Sequence, residues 1–330
     1  MLPFPGCLHE FGNFEDLSMT EIRTQIPKTD DQTPELWDRA LLGDVRSIAR
    51  CLSLIEREGP DIPDRLARLP ASSARRIVGI TGPPGAGKST LTDALIAELL
   101  AAGQRVAVLC VDPSSPFHHG ALLGDRIRMN RWHDHPDVFI RSLASRGSLG
   151  GLHPAIWEMV SFLSACPFDR IIIETVGVGQ SEVDIAALAD LTVVVLVPES
   201  GDEVQTMKAG LMEIADIFVV NKSDRPDADR FLRTLRQLIP ANDQDAHDPV
   251  PVMATVADKG TGLKELHAAI EAGLNRDMRP ADRLRIWTER ALYLIRKKRM
   301  KDLQKEDLCA SISEELNKGA FNLYKFIDKY

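Results

Sequence analysis

Residues 82–90 read GPPGAGKST, a loop rich in glycine and proline that ends in Lys-Ser-Thr. The spacing matches the phosphate-binding pattern G-x-x-x-x-G-K-[S/T]. The apolar run Arg76–Thr81 precedes the loop and predicts a buried strand, and a helical pattern follows it as far as Gly103. Because strand, glycine loop and helix in this order are the context that the pattern requires, the stretch predicts a P-loop nucleotide-binding fold.

The predicted phosphate loop has the groups that bind a polyphosphate. Glycines let successive backbone N–H groups turn toward a polyphosphate, and the following helix adds the positive end of its dipole. We expect Lys88 to reach the β- and γ-phosphates and act in catalysis, and Ser89 to offer its hydroxyl to Mg²⁺. The residues expected to bind the phosphates are Gly82, Pro83, Pro84, Gly85, Ala86, Gly87, Lys88, Ser89 and Thr90.

The composition limits the class of protein. The chain has 330 residues, 44% of them hydrophobic, and a net charge of −8. These numbers allow a large core and argue against binding to nucleic acid or to an anionic membrane. No apolar stretch is long enough to span a membrane, and the five cysteines lack metal-ligand spacing. We therefore expect a cytoplasmic protein that binds neither nucleic acid nor membrane.

Apolar runs alternate with helical patterns from about residue 76 to 275. Such runs predict an α/β fold with a mostly parallel sheet flanked by helices, and functional loops at the carboxyl ends of the strands. Besides Arg76–Thr81, the predicted strands are Val106–Val111, Val138–Ile140, Ile171–Glu174, Leu191–Val197, Ile217–Val220 and Val250–Ala254.

Helical patterns flank this region on both sides. Residues 34–58 carry an apolar stripe from Trp37 to Ile55 with helical spacing. Near the other end, LRIWTERALYLIRKKRMKDL predicts a basic amphipathic helix whose exposed apolar stripe needs a partner, so we expect a homodimer. The predicted parts are a flexible N-terminus (1–32), a helical extension (33–72), a nucleotide-binding domain (73–278) and a C-terminal helical dimerisation arm (279–330).

The sequence VVNKSD after a predicted strand indicates the base. Asn221, Lys222 and Asp224 form N-K-x-D, in which the carboxylate accepts two hydrogen bonds from guanine. Adenine lacks that pair of donors, so the pattern predicts selectivity for GTP and GDP. We expect Asn221 to brace the loops and the Lys222 stem to cover the base. The loop after the next strand is expected to add backbone contacts from Thr255, Val256 and Ala257.

Acidic residues follow other predicted strands at the same edge. Glu174 ends one strand, with Gly177 three residues later, and Asp112 ends another; Asp125 lies on a predicted switch segment. We expect the Gly177 N–H to contact the γ-phosphate and the three acids to bind Mg²⁺, directly or through water. Since Mg²⁺ takes one or two protein carboxylates, not all three bind directly. For each acid, the alternative is a helix cap or a loop charge.

These motifs together resemble a known family. The chain is similar to the metallochaperone-like P-loop GTPases of the MeaB/ArgK/methylmalonic aciduria type A group, which are of the SIMIBI type. The resemblance implies a dimeric, Mg²⁺-dependent GTPase that acts as a chaperone of an adenosylcobalamin-dependent acyl-CoA mutase such as methylmalonyl-CoA mutase. The resembling stretches are GPPGAGKST, VDPSSP, GALLGDRIRM, GSLGG, ETVGVGQSE, GDEVQTMKAGLMEIADI and NKSD.

Two other functions compete with this interpretation. His118 and His119 raise the alternative of a metallochaperone GTPase for nickel or another metal, although two adjacent histidines do not complete a site. A kinase acting on a transport protein is the other alternative, but no residue is placed as a base for an incoming hydroxyl, and N-K-x-D argues against ATP. For the GTPase we expect in-line attack of water on the γ-phosphate, with Glu174 and Asp125 positioning the waters on Mg²⁺.

Overall fold

The computed structural model has a parallel sheet at its centre. It describes residues 34–70, 76–112, 114–115, 118–121, 129–144, 152–175, 181–198, 210–239, 250–276, 280–300, 303, 305–319 and 321–329. The strands within these residues are β1 (Ile77–Thr81), β2 (Val106–Asp112), β3 (Ser114–Ser115), β4 (His118–Ala121), β5 (Val138–Ala144), β6 (Arg170–Glu174), β7 (Leu191–Leu196), β8 (Ile217–Val220) and β9 (Val252–Ala254).

Seven of the described strands form one sheet in the order β5-β2-β6-β1-β7-β8-β9, and each neighbouring pair is parallel. Each strand predicted from an apolar run is present, so the predicted fold class is confirmed. Every residue of β1, β7 and β8 is buried, as expected for strands covered on both faces. The short pair β3 and β4 is antiparallel and was not predicted.

Helices cover both faces of the sheet. The described helices are α1 (Pro34–Leu41), α2 (Val45–Glu56), α3 (Ile62–Ala67), α4 (Lys88–Ala101), α5 (Ile156–Ala165), α6 (Ser181–Leu188), α7 (Leu211–Ile214), α8 (Ala228–Leu238), α9 (Leu263–Asn275), α10 (Pro280–Arg299), α11 (Lys305–Asn317) and α12 (Leu323–Ile327). Residues of α4 and α9 pack on one face, while those of α1, α2, α5, α6 and α8 pack on the other.

The predicted helical stripe over residues 34–58 is divided between α1 and α2. The chain leaves α1 at Gly43, which has a φ of +95°, and Asp44 then caps α2 by accepting a 2.8 Å hydrogen bond from the Ser47 amide. A Cβ at Gly43 would lie 3.0 Å from both Arg105 Nη1 and Pro167 Cγ, so close packing also favours glycine there. Because both short helices face the same core, one apolar stripe runs across the break.

The helix after the phosphate loop follows its prediction closely. Helix α4 runs from Lys88 to Ala101 and buries Leu91, Leu95 and Leu99, and Gly103 follows its end with a φ of +76°. The predicted C-terminal amphipathic helix is α10. Among the described residues, no helix is both long enough and apolar enough to cross a membrane. The predicted flexible segment 1–32 lies outside the described residues.

Candidate nucleotide site

The phosphate loop leaves β1 through a position that only glycine can occupy. Gly82 has a φ of +138°, and a Cβ there would lie 2.0 Å from the carbonyl oxygen of Val195 on the neighbouring strand. At the other end of the loop, Gly87 has a φ of +86°, and a Cβ would lie 2.5 Å from Asn221 Nδ2. The loop is therefore held tightly between β7 and the loop that follows β8.

The ammonium group of Lys88 lies inside this loop. Its Nζ donates hydrogen bonds to the carbonyl oxygens of Gly82, at 2.9 Å, and Pro83, at 3.0 Å, and the side chain is buried. The fold thus brings a cation to the loop that is predicted to wrap the phosphates. In the rest of the loop, Ala86 is buried, while Pro84, Gly85 and Thr90 are exposed.

A hydroxyl and a carboxylate meet beside the lysine. Ser89 Oγ donates a 2.6 Å hydrogen bond to Glu174 Oε1, and both side chains are buried. Strands β1 and β6 are neighbours with Ile80 opposite Glu174, which places the carboxylate near the start of α4. Hard oxygen ligands of this kind are those that Mg²⁺ prefers, so the pair fits the predicted metal position.

Asp112, Asp125 and Gly177 are the remaining predicted residues at this edge, and the described part of the chain includes only the backbone of Asp112. The backbone of Asp112 ends β2, two residues beyond Cys110, which lies opposite Glu174 in the sheet. Asp112 therefore lies at the same carboxyl edge of the sheet as Glu174. The side chain of Asp112, together with the whole of Asp125 and Gly177, lies outside the described residues, and the roles given to these residues stay predictions.

Asn221 connects the phosphate loop to the two loops on the base side. Its Nδ2 donates to the carbonyl oxygen of Ala86 at 3.0 Å. Its Oδ1 accepts from Thr255 Oγ1 and from the Ala257 amide, each at 3.2 Å. The side chain is 2% exposed, so each polar atom of the amide is used where water is excluded. One buried side chain therefore fixes three loops relative to each other.

A cavity of about 270 Å³ opens beside Asn221 at the carboxyl edge of the sheet. Most of its walls are residues predicted to bind the nucleotide. Arg225 and Asp258 are the two wall residues that the sequence prediction missed; each directly follows a predicted residue, which is the signal that could have found them. The walls are formed by Gly87, Thr90, Asn221, Lys222, Asp224, Arg225, Ala257 and Asp258.

Lys222, Thr255 and Val256 were predicted to contact the base, and each makes a hydrogen bond within the protein that the sequence did not indicate. Lys222 has a φ of +55°, and its Nζ donates a 2.7 Å hydrogen bond to the Gly85 carbonyl, so its side chain spans from one loop to the other. The Thr255 and Val256 amides donate to Val220 and Thr261 within the protein. These two residues are not among the cavity walls, and their predicted contact with the base remains untested.

Asp224, the predicted guanine acceptor, forms an ion pair that the sequence did not indicate. Lys259 Nζ lies 2.6 Å from Asp224 Oδ2, with 60% of the lysine and 42% of the aspartate side chain exposed. The hydrogen bond from Lys259 lowers the pKa of Asp224, and the same bond raises the pKa of Lys259. The Asp224 carboxylate therefore stays ionised to a lower pH than an unpaired aspartate would.

A larger cavity, of about 570 Å³, lies at the opposite edge of the sheet. Its walls include Arg76, Arg105 and Arg170, which are close to the amino ends of β1, β2 and β6. Arg170 forms a two-point ion pair with Glu271. Ligands of parallel α/β folds bind at the carboxyl ends of the strands, so this cavity is not the candidate nucleotide site.

A family model described as "Methylmalonyl Co-A mutase-associated GTPase MeaB" matches residues 48–314. The chain belongs to the MeaB family. A putative GTPase of Pyrococcus horikoshii is 50% identical over 244 residues, which cover 72% of this chain and 76% of the relative. A probable GTPase of Mycobacterium tuberculosis is 41% identical over 254 residues, which cover 73% and 75%.

The chain is also similar to a protein that is named as a fused mutase and to a solved structure. A fused isobutyryl-CoA mutase of Cupriavidus metallidurans is 35% identical over 234 residues, covering 68% of this chain and 21% of that protein. A solved structure titled LAO/AO transport system kinase covers 89% of this chain and 95% of its own, with a TM-score of 0.62 and 22% identity, which shows a shared fold. As a P-loop member of the MeaB family, the chain is a GTPase, which binds GTP and GDP and hydrolyses GTP to GDP and phosphate.

Proposed function

We propose that this MeaB-family GTPase is a Mg²⁺-dependent chaperone of an adenosylcobalamin-dependent acyl-CoA mutase. In this role it gates the loading of the cofactor and protects the mutase from inactivation. Methylmalonyl-CoA mutase is the first candidate partner, since the family is described by its association with that enzyme. Isobutyryl-CoA mutase is the second candidate, because a relative carries its name.

The fused relative is the observation that supports the proposal most directly. Its segment similar to this chain makes up 21% of a protein named as a fused isobutyryl-CoA mutase. A GTPase and a mutase in one polypeptide are held at a high effective concentration, which favours a functional interaction between them. We infer that a separate GTPase of the same family binds its mutase as a second chain.

For hydrolysis, we propose that water attacks the γ-phosphate in line with the leaving oxygen. Lys88 binds the β- and γ-phosphates, and its ammonium stabilises the charge that develops on them. Ser89 would bind Mg²⁺ through its hydroxyl, and Glu174, which accepts a hydrogen bond from that hydroxyl, would hold the ion directly or through water. The chemistry that bound Mg²⁺ supplies is neutralisation of phosphate charge. Glu174 and Asp125 would position the waters of the ion, Asp112 would face the ion, and Gly177 would contact the γ-phosphate.

For base recognition, we propose that guanine occupies the cavity beside Asn221. Asp224 accepts hydrogen bonds from the N1–H and the 2-amino group of guanine, and Lys222 covers the base. Support comes from the walls of the cavity, which join the phosphate loop to the N-K-x-D loop. A nucleotide that spans both can therefore place its phosphates beside Lys88 and its base beside Asp224.

We also propose a homodimer formed through the arm at 279–330, next to a GTPase domain at 73–278 and a helical extension at 33–72. Helix α10 exposes large apolar side chains that would be covered in such a dimer; Leu284 is 70%, Trp287 54% and Ile295 48% exposed. A cytoplasmic location is part of the same proposal, since the partner mutases act on soluble acyl-CoA substrates.

The test is GTP hydrolysis measured with and without purified adenosylcobalamin-dependent mutases from the same organism. We expect a several-fold stimulation that is specific for GTP and for one mutase, because partner binding would order the catalytic loops. ATP is the control for the nucleotide, and the Lys88→Ala variant with the mutase controls for contaminating hydrolases. Hydrolysis of GTP that is indifferent to every mutase would contradict the chaperone role.

The two alternative functions are outcomes of the same experiment. Stoichiometric, tight binding of Ni²⁺ or Zn²⁺ in a parallel titration would favour a metallochaperone. The described part of the chain contains no cluster of three or more His, Cys, Asp or Glu residues that could hold a metal ion; the side chains of His118 and His119 are not in that part. Transfer of phosphate to a protein substrate would favour the kinase.

A further inference from the structure

Arg290 on α10 contacts the end of α6. Its Nε donates to the Ala187 carbonyl at 3.2 Å, and its Nη2 donates to the Leu188 carbonyl at 2.8 Å. These carbonyls belong to the last turn of α6, where a cation is also favoured by the helix dipole. The same Nη2 lies 3.6 Å from Asp190 Oδ1. The Arg290 guanidinium therefore contacts both the C-terminal end of α6 and Asp190, which lies two residues beyond that end.

Aromatic rings enclose this guanidinium. Its Cζ lies 5.8 Å from the ring centroid of Trp157 on α5 and 5.3 Å from that of Trp287 on α10. The Arg290 side chain is only 15% exposed. Burial lowers the pKa of Arg290, and the charge of Asp190 opposes that effect. The planar fork and the stacking suit arginine and not lysine, so the contact is specific to this side chain.

Asp190 carries the contact from α10 to the start of β1. Its Oδ2 accepts hydrogen bonds from the Arg76 amide at 2.9 Å and the Ile77 amide at 3.0 Å. The carboxylate that pairs with Arg290 through one oxygen thus holds the first residues of β1 through the other. Strand β1 ends at Thr81, immediately before the phosphate loop.

Helix α6 provides a second route to the same strand. A Cβ at Gly79, in the middle of β1, would lie 2.8 Å from Ile185 Cγ1 and 3.0 Å from Ala189 Cβ. The helix therefore rests on the strand at a distance that only glycine permits. A shift of α6 cannot be absorbed by empty space at this contact, so the position of the helix and that of β1 depend on each other.

We propose that Arg290 is a positioning residue for GTP hydrolysis. Its contacts couple the position of α10 to the phosphate loop through Asp190, α6 and β1. The same packed contacts lead from the loop back to Arg290, so we expect exchange of GDP for GTP in the loop to alter the surroundings of Arg290. This inference goes beyond the mutase role and rests only on GTP hydrolysis by the chain itself. Both experiments below contain no mutase, so their failure is distinguishable from failure of the proposed chaperone function.

The first experiment compares Arg290→Met with Arg296→Met. Arg296 is an exposed arginine on the same helix and is the matched control. We expect kcat for GTP to fall about fivefold in Arg290→Met, with KM nearly unchanged because the base cavity lies beside β8. Arg290→Lys keeps the charge beside Asp190 but not the fork, and should restore part of kcat. Wild-type kcat in folded Arg290→Met would overturn the proposal.

The folding of the Arg290 variant is supported by a second anchor on α10. Lys297 Nζ donates to the Pro154 carbonyl at 2.9 Å and to Glu158 Oε1 at 2.6 Å, and it lies 2.9 Å from Glu58 Oε1. These contacts do not involve α6 or β1, so α10 keeps an attachment when Arg290 is replaced. Circular dichroism and the thermal midpoint of unfolding check this directly.

The second experiment compares the native chain with Trp287→Phe and does not depend on any Arg290 variant. Arg290 Cζ lies 5.3 Å from the centroid of the Trp287 ring, and phenylalanine keeps an apolar aromatic ring at this position, so Trp287→Phe should be tolerated. We expect the tryptophan emission to differ between the GDP-bound protein and the protein bound to a non-hydrolysable GTP analogue. The part of that difference that belongs to Trp287 is lost in Trp287→Phe. An identical difference in both proteins would contradict the coupling.

Discussion

The ammonium of Lys259 lies 2.6 Å from the carboxylate of Asp224, 35 positions earlier in the chain. Lys259 follows β9, and Asp224 follows β8, its parallel neighbour. The two loops therefore meet at the carboxyl edge of the sheet, at the residue proposed to recognise guanine. Because Lys259 lowers the pKa of Asp224, the carboxylate stays ionised at a lower pH than N-K-x-D alone predicts.

We predict that Lys259→Met makes guanine nucleotide binding more sensitive to acid. Lys259 lowers the pKa of Asp224, so the carboxylate stays ionised as the pH falls toward that lowered value. Without the lysine, the pKa rises toward its usual value, and the acceptor is lost at a higher pH. Binding of fluorescent GDP over an acidic pH series measures the midpoint. Coincident midpoints for variant and native protein would contradict the prediction.

Lys88→Ala should reduce GTP hydrolysis at least about a hundredfold, because the ammonium in the phosphate loop stabilises the transferring group. The measurement is phosphate release at saturating GTP. Lys264→Ala, which removes an exposed lysine of α9, is the control and should hydrolyse GTP normally. Full activity of Lys88→Ala would remove the lysine from the proposed mechanism.

Asp224→Asn should weaken GTP binding and improve binding of xanthosine triphosphate. An amide cannot accept both hydrogen bonds from guanine, whereas it can donate to the additional carbonyl of xanthine. Competition between the two nucleotides measures the preference. Asp229→Asn, at an exposed position on α8, should retain the native preference. The assignment of Asp224 fails if its asparagine variant discriminates between the bases as the native protein does.

Gly82→Ala and Gly85→Ala should differ in their effect on stability. Both glycines have positive φ, which costs alanine about 1 kcal/mol. Only Gly82 has a backbone oxygen in the space that a Cβ would fill, whereas no heavy atom lies within 4 Å of a Cβ at Gly85. We expect Gly82→Ala to lower the free energy of unfolding by about 2 kcal/mol more than Gly85→Ala. Chemical denaturation measures both, and equal losses would show that the loop rearranges freely.

Local sequence signals were sufficient for the fold and for the phosphate loop. The apolar runs that form β1, β7 and β8 are buried along their whole length, and no competing pattern of period 3.6 obscures them. The sequence pattern did not reveal the break between α1 and α2, because both helices pack their apolar residues against the same core. The glycine and the aspartate there were weaker signals than the continuous stripe.

The missed features of the site come from contacts between distant parts of the chain. The ion pair of Asp224 and Lys259 depends on β8 and β9 being neighbours, and no local pattern specifies that order. Arg290 lies in the helix that the sequence predicts to be basic and amphipathic, with an exposed apolar stripe. Its partners Ala187 and Leu188 lie more than a hundred positions away, at 103 and 102 residues, so only the packed structure relates them.

Asn221 has a consequence for how the protein distinguishes GTP from GDP. Hydrogen bonds of one buried amide join the loops around the proposed base site to each other, so contacts within the protein order these loops on folding. In this proposed site, guanosine is common to both nucleotides and is therefore expected to add the same free energy of binding in each case. The whole difference between the two nucleotide states must arise at the phosphate end.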